Sequence, residues 1–223
     1  MSTIQKTDLK NLTQEGLIDF AVGLGQSTFR GKQIMGWLYR PEIYEFSQMT
    51  DLAKVFRKLL EENAYISRFS DPIIEKASDG CVKFGFRLHD GHIIESVLIP
   101  EPDRNTLCIS SQVGCAMGCT FCLTGTMGFI RNLTPAEIVN QVCGARDYLL
   151  TQPAASLIGP DRITNVVYMG MGEPLNNLEN VLASLSIITE PKGLDLAGRR
   201  ITVSTCGIVP KIKEFGEKSP VNL

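Results

Sequence analysis

The sequence predicts an α/β protein: a partial β/α barrel over 105–223, preceded by a small helical module at 1–70 and an antiparallel β-meander at 71–104. Three observations point there. Apolar residues recur at helical spacing through the first part of the chain, alternate strictly through the next, and then settle into repeated strand–helix units.

In the helical module, Thr13 is placed to cap a helix whose Leu17, Phe20, Ala21 and Leu24 share one face. Phe29 to Tyr39 reads as a second helix, stopped by Arg40-Pro41 because proline disfavours helical geometry in the residue before it. Asp51 is expected to cap a third, with Leu52, Val55, Phe56, Leu59 and Leu60 as its buried stripe.

Past Pro72 the period changes. Ile73 to Ser78, Cys81 to Leu88 and His92 to Ile99 are separated by Asp79-Gly80 and Asp90-Gly91, pairs that favour tight hairpin turns. Val82, Phe84, Phe86 and Leu88 alternate with Lys83, Gly85 and Arg87, which gives one buried and one wet face. Pro100 and Pro102 are expected to close this meander.

Beyond Asn105, strands are expected at Thr106 to Ser110, Ile163 to Met169 and Arg200 to Thr205. Helices follow at Leu178 to Ile188, at Pro210 to Phe215, and after Thr134-Pro135-Ala136-Glu137, a capping box with proline at the first helical position. Strand–helix alternation implies parallel strands. Pro220 to Leu223 reads as the start of a fourth strand, so the expectation is a fragment of a longer barrel.

Composition narrows the class. Apolar residues make up 43% and net charge is −2, so an RNA partner has to rest on local patches. The chain has no apolar run of about 18 residues and no basic-then-apolar start, so no membrane segment and a cytoplasmic location are expected. Seven cysteines in such a chain indicate metal or thiol chemistry more than a disulfide framework.

Three of them, Cys115, Cys119 and Cys122, form a C-x3-C-x2-C loop. Thiolates bind iron–sulfur clusters, and a 4Fe-4S cube normally takes four. Three leave one iron open to chelate S-adenosylmethionine (SAM), which is the arrangement of a radical SAM enzyme. Gly114 and Gly118 let the backbone wrap closely, and Phe121 offers an apolar wall. The competing readings are a zinc site or buried structural thiols. Structural zinc is normally closed by a fourth ligand, and the two histidines, His89 and His92, lie away in the meander.

One crossover later comes Tyr168-Met169-Gly170-Met171-Gly172-Glu173-Pro174. A strand running into two glycines lets backbone approach a ligand, and Glu173 adds an acceptor for the SAM ammonium; alone, the same segment reads equally as an ordinary tight turn. Ser204 ends the next strand and falls on the same rim, where barrel active sites gather.

Cys108 to Cys115, the cysteine loop, Gly128 to Leu133, Met169 to Asn177 and Ser204 to Pro210 together resemble the dual-specificity RNA adenine C2-methyltransferases. The resemblance extends over the helical module and the meander. It implies that Cys115, Cys119 and Cys122 hold the cluster and that Gly172, Glu173 and Ser204 contact SAM. It further implies that Glu95 is a general acid/base beside the adenine and that Cys108 resolves a covalent RNA–enzyme intermediate. By themselves, Glu95 reads as a solvent-facing strand carboxylate and Cys108 as a buried strand thiol.

In that family the substrates are 23S rRNA and tRNA, and an electron donor such as flavodoxin or ferredoxin serves the cluster. Adenine C2 is electrophilic, so the methyl group travels through a carrier cysteine. The resemblance places that cysteine well beyond Leu223; Cys143, on a helix stripe, and Cys206 are poor replacements. The 223-residue chain alone is therefore expected to bind a cluster without methylating RNA. Val113 stands where the related C8-methylating enzymes carry an extra cysteine, which favours C2. A radical SAM enzyme for a small molecule or peptide, and a non-catalytic cluster- or zinc-binding fragment, are the alternatives.

Overall fold

The computed structural model describes residues 6–223; residues 1–5, the start of the helical module, lie outside this range. Along the chain run β1 (Thr7–Asp8), α1 (Gln14–Gly23), α2 (Thr28–Leu38), α3 (Lys54–Asn63) and β2 (Ala64–Tyr65), the last pairing parallel with β1. Then come β3 (Ile73–Lys76), β4 (Val82–Arg87), β5 (Ile93–Glu101) and β6 (Arg104–Cys108). A short hairpin of β7 (Gln112–Gly114) and β8 (Phe129–Asn132) encloses the four-residue α4 (Leu123–Thr126). The remainder is α5 (Pro135–Thr151), β9 (Asn165–Tyr168), α6 (Leu178–Thr189), β10 (Ile201–Val203) and α7 (Val209–Lys218).

Thr13 caps α1 by accepting the Gly16 N–H at 3.3 Å, and Leu17 and Ala21 face inward as expected. Asp51 does not cap α3, whose N-cap is Ala53. Its carboxylate instead accepts from the Trp37 indole and from Gln33, tying the segment before α3 to α2. Phe56 and Leu60, one turn apart, are buried, and Val55, about 100° around the helix from Phe56, is 76% exposed, against its expected place in the stripe.

β3 to β6 and β9 to β10 form one six-stranded sheet in the order β10-β9-β6-β5-β4-β3. Pro100 does not close the meander. β5 continues to Glu101 and turns into β6, which pairs antiparallel with β5 and parallel with β9. The meander and the first barrel strands therefore share a single sheet. Asn222 makes a parallel bridge to Thr202, where the fourth strand was expected.

One face of this sheet is covered. Phe84, Phe86, Ile94, Leu98, Leu107, Val166, Tyr168, Ile201 and Val203 are buried on it. α5 lies against β4, with Gly144 so close to Phe86 that an added Cβ would stand 2.8 Å from the ring. Phe84 meets Tyr148 edge-on at 5.2 Å, and α6 reaches β9 through a Tyr168–Ser184 hydroxyl hydrogen bond of 2.8 Å. The opposite face, carrying Lys83, Glu95, Val97, Cys108, Val167 and Thr202, is half-buried to exposed. Among the described residues, no helix is long and apolar enough to cross a membrane.

Candidate functional site

The carboxyl ends of the three parallel strands lead into three segments: the cysteine loop after β6, Gly170 to Glu173 after β9, and Ser204 to Cys206 after β10. Main chain joins the first two. Gly170 N–H donates to the Ile109 carbonyl at 3.0 Å, and the N–H groups of Ser111 and Gln112 donate to that of Met171 at 2.9 and 3.2 Å.

The loop itself is shaped by backbone. Gly114 has φ +72°, and a Cβ there would come within 1.9 Å of the Gly128 carbonyl oxygen, which accepts the Cys115 N–H at 3.0 Å. Only glycine lets the two sides of the β7–β8 hairpin close this tightly. Cys119 accepts the Cys122 N–H at 3.0 Å on its carbonyl, and Cys122 is the N-cap of α4. All three thiols are half-buried. The Gly125 N–H, aimed at Cys122, holds that thiol below its ordinary value, which favours a thiolate.

Among the described residues, no three His, Cys, Asp or Glu side chains are drawn together tightly enough to grip one metal ion. A cubane spreads its thiolates over separate corners. Three half-buried thiols on one loop fit the donor chemistry of such a cluster, whereas structural zinc is normally closed by a fourth ligand.

Glu173 is 3% exposed. Its carboxylate accepts from Leu175 N–H at 3.0 Å, Thr205 hydroxyl at 2.8 Å and Cys206 N–H at 2.8 Å. These three donors fill most of the roughly four acceptor positions of an ionised carboxylate. Its first duty in this chain is structural, since it ties the β9 turn to the end of β10. Gly172, at φ +99°, packs against Gln112, and Ser204 N–H reaches the Tyr168 carbonyl at 3.4 Å. Cys206 lies beside Glu173 and near Cys119; desolvation first, then the Glu173 carboxylate, raises its thiol to about 11. Cys143 is buried on α5.

Glu95 and Cys108 share the open sheet face. Cys108 is the register partner of Val97, two residues along β5 from Glu95, so the pair are diagonal neighbours, about 7–8 Å apart in such ladders. Glu95 is half-exposed and pairs with Lys83 at 3.3 Å, which also meets Glu75 at 3.1 Å. Burial raises the Cys108 thiol above its ordinary value.

Several polar residues that organise this site escaped the sequence reading. Gln112 accepts the Glu173 N–H at 2.8 Å and donates to Asn132 at 2.8 Å. Gln141, fully buried on α5, accepts from Ser110 N–H and Ser96 hydroxyl and donates to the Ser110 carbonyl. Asn177 donates to the Ser111 and Leu133 carbonyls at 2.8 Å each. Arg131 links the meander tip to the α5 cap, bonding Asp90 at 2.6 Å and both Glu137 oxygens at 2.8 Å. One signal was available: Gln141 interrupts the apolar stripe between Ile138 and Val142.

A β/α sheet whose first barrel strand delivers three cysteines to the strand ends defines a cluster-binding radical enzyme scaffold, and residues 109–221 match the sequence model of the Radical SAM superfamily. The chain belongs to that superfamily, whose members use a 4Fe-4S cluster and SAM. Residues 7–66 match the Ribosomal RNA large subunit methyltransferase N-terminal domain. The chain is 75% identical to the Dual-specificity RNA methyltransferase RlmN of Desulfotalea psychrophila, over 98% of its own length and 60% of the relative's. It is 50% identical to the protein of the same description from Geotalea uraniireducens, over 99% and 61%. A crystal structure of a radical SAM methyltransferase from Sphaerobacter thermophilus superposes with a TM-score of 0.83 at 38% identity, over 96% of this chain and 62% of that one. The chain thus spans about 60% of the length of these curated relatives.

Proposed function

We propose that this chain forms the cluster-binding and RNA-facing part of a SAM-dependent methyltransferase acting on C2 of adenosine in 23S rRNA and in tRNA. One observation carries the reading: Glu95 and Cys108 lie on the open face of the sheet whose strand ends hold the cysteine loop and Glu173. The relatives' descriptions and the N-terminal match support RNA as substrate. Cytoplasmic action and a flavodoxin- or ferredoxin-type electron donor belong to the same reading.

Cys115, Cys119 and Cys122 would hold the cluster, with Gly172, Glu173 and Ser204 around SAM. Bound together, these groups supply carbon-radical chemistry, which an electrophilic ring carbon such as adenine C2 requires. Glu95 takes the C2 proton, steered by Lys83. Cys108, a protonated thiol held on the sheet, loses its proton to a base before attacking to release the RNA.

The test joins residues 1–223 to the remaining segment of the Desulfotalea relative and expresses this chimera in a bacterium lacking 2-methyladenosine. The proposal expects 2-methyladenosine in both RNAs, lost on Cys119→Ala. Formation of 8-methyladenosine, or none with a cluster-loaded chimera, contradicts it.

A further inference from the structure

Lys10 is 5% exposed, although lysine is seldom buried without a charged partner. Its ammonium nitrogen meets Asn140 Oδ1 at 2.8 Å, Cys143 Sγ at 3.9 Å and the face of Tyr39 at 5.8 Å from the ring centre. None of these is a carboxylate. The Tyr39 hydroxyl beside them is buried without a hydrogen-bond partner. Burial first, and then Cys143 and Asp8, push its pKa well up. The cluster closes the seam between the helical module and α5, at the floor of a cleft of about 570 Å³ lined by Lys10, Arg40, Tyr44, Asn140, Cys143 and Arg146.

We propose that Lys10 and Cys143 form an oxidative modification site, where peroxide joins the lysine nitrogen to the cysteine sulfur through one oxygen atom. The observations favour this pair over the other cysteines because a primary amine already touches the thiol, while the cleft admits a small oxidant. Asn140, itself held by a hydrogen bond to Ser67 at 2.9 Å, keeps the amine in place. An inserted oxygen would also give the orphaned Tyr39 hydroxyl a nearby acceptor.

The step balances with hydrogen peroxide as oxidant. A first peroxide oxidises the thiol to a sulfenic acid and releases water. The Lys10 ammonium releases one proton to water and reacts as the free amine. A second peroxide then takes one hydrogen from the amine N–H and one from the sulfenic O–H, the N–O bond forms, and the peroxide leaves as two waters. Sulfur and nitrogen give up four electrons in all, and the two peroxides receive them. Excess dithiol reverses the process to amine, thiol and water. The bond would staple the helical module to α5.

Peptide mapping of the 223-residue chain, purified without oxygen and then treated with hydrogen peroxide, tests this. The expected product is a crosslinked peptide pair containing Lys10 and Cys143, about 14 Da heavier than the sum of the free peptides (one oxygen gained, two hydrogens lost), with trypsin blocked at Lys10. It should vanish with dithiol and be absent from Cys143→Ser and Lys10→Arg. A Cys143 peptide carrying only added oxygens, an unmodified Cys143, or a Lys10 peptide still cleaved by trypsin overturns the proposal. The unsubstituted chain alone decides this, so failure of a variant to fold leaves the result intact.

Discussion

Gln112 receives the Glu173 N–H on its Oε1 at 2.8 Å, and this bond fastens the cysteine-bearing hairpin to the turn after β9. Glu173 in turn holds Thr205 and Cys206. These two side chains, together with the backbone bonds between Ile109 to Gln112 and Gly170 to Met171, hold the three strand-end segments together.

Gln112→Ala leaves the N–H of a nearly fully buried residue without an acceptor. An orphaned buried donor costs about 1–3 kcal/mol. Denaturant unfolding should show a loss of that size, together with less iron retained after reconstitution. Unaltered stability would contradict the role given to this bond.

Glu173→Gln keeps one acceptor oxygen and turns an NH2 toward donors that now face a carboxylate. Stability should fall by about 1–3 kcal/mol, and SAM binding by titration calorimetry of the cluster-loaded chain should weaken. Wild-type values of both would show that the carboxylate neither ties the strand ends nor serves the ligand.

Gly114→Ala forces a side chain toward a carbonyl oxygen 1.9 Å away, whereas Gly91, at φ +87°, has nothing within 4 Å. Gly91→Ala should cost only the left-handed conformation, about 1–2 kcal/mol. Gly114→Ala should cost more and should lower the iron bound per chain. Equal effects of the two substitutions would mean that the hairpin tolerates opening.

Arg131 holds the Asp90 carboxyl at about 2, below its ordinary 3.8. A depressed carboxyl stabilises the folded chain fully above its unfolded value and loses that contribution as pH falls toward the folded one. Asp90→Asn should therefore flatten the stability profile between about pH 4 and 2 while lowering stability at pH 7. Urea midpoints across this range check it; parallel profiles would remove the pair from the acid response.

Cys108→Ala in the chimera should leave RNA covalently attached to protein, seen as a shifted band that ribonuclease removes. Full turnover would take Cys108 out of the mechanism.

Much of this was legible because local chemistry and global fold agree. The Asp-Gly pairs, the alternation from Val82 to Leu88 and the capping box at Thr134 each specify backbone geometry on their own. The β7–β8 hairpin was not legible, since its pairing depends on Gly114 and Gly128 closing over an intervening loop rather than on strand-like alternation. The path of β5 past Pro100 was hidden because a proline in a ladder usually marks an edge or an end. Gln112, Gln141 and Asn177 gain meaning only from backbone groups distant in sequence, which no local pattern encodes.

The central claim is that Cys115, Cys119 and Cys122 hold a cluster with one iron left open. Anaerobic reconstitution followed by electron paramagnetic resonance of the reduced protein, with and without SAM, addresses it most directly. The account predicts about four irons per chain and a spectrum that changes on adding SAM. Colourless, iron-free protein, or a cluster whose spectrum ignores SAM, would contradict it.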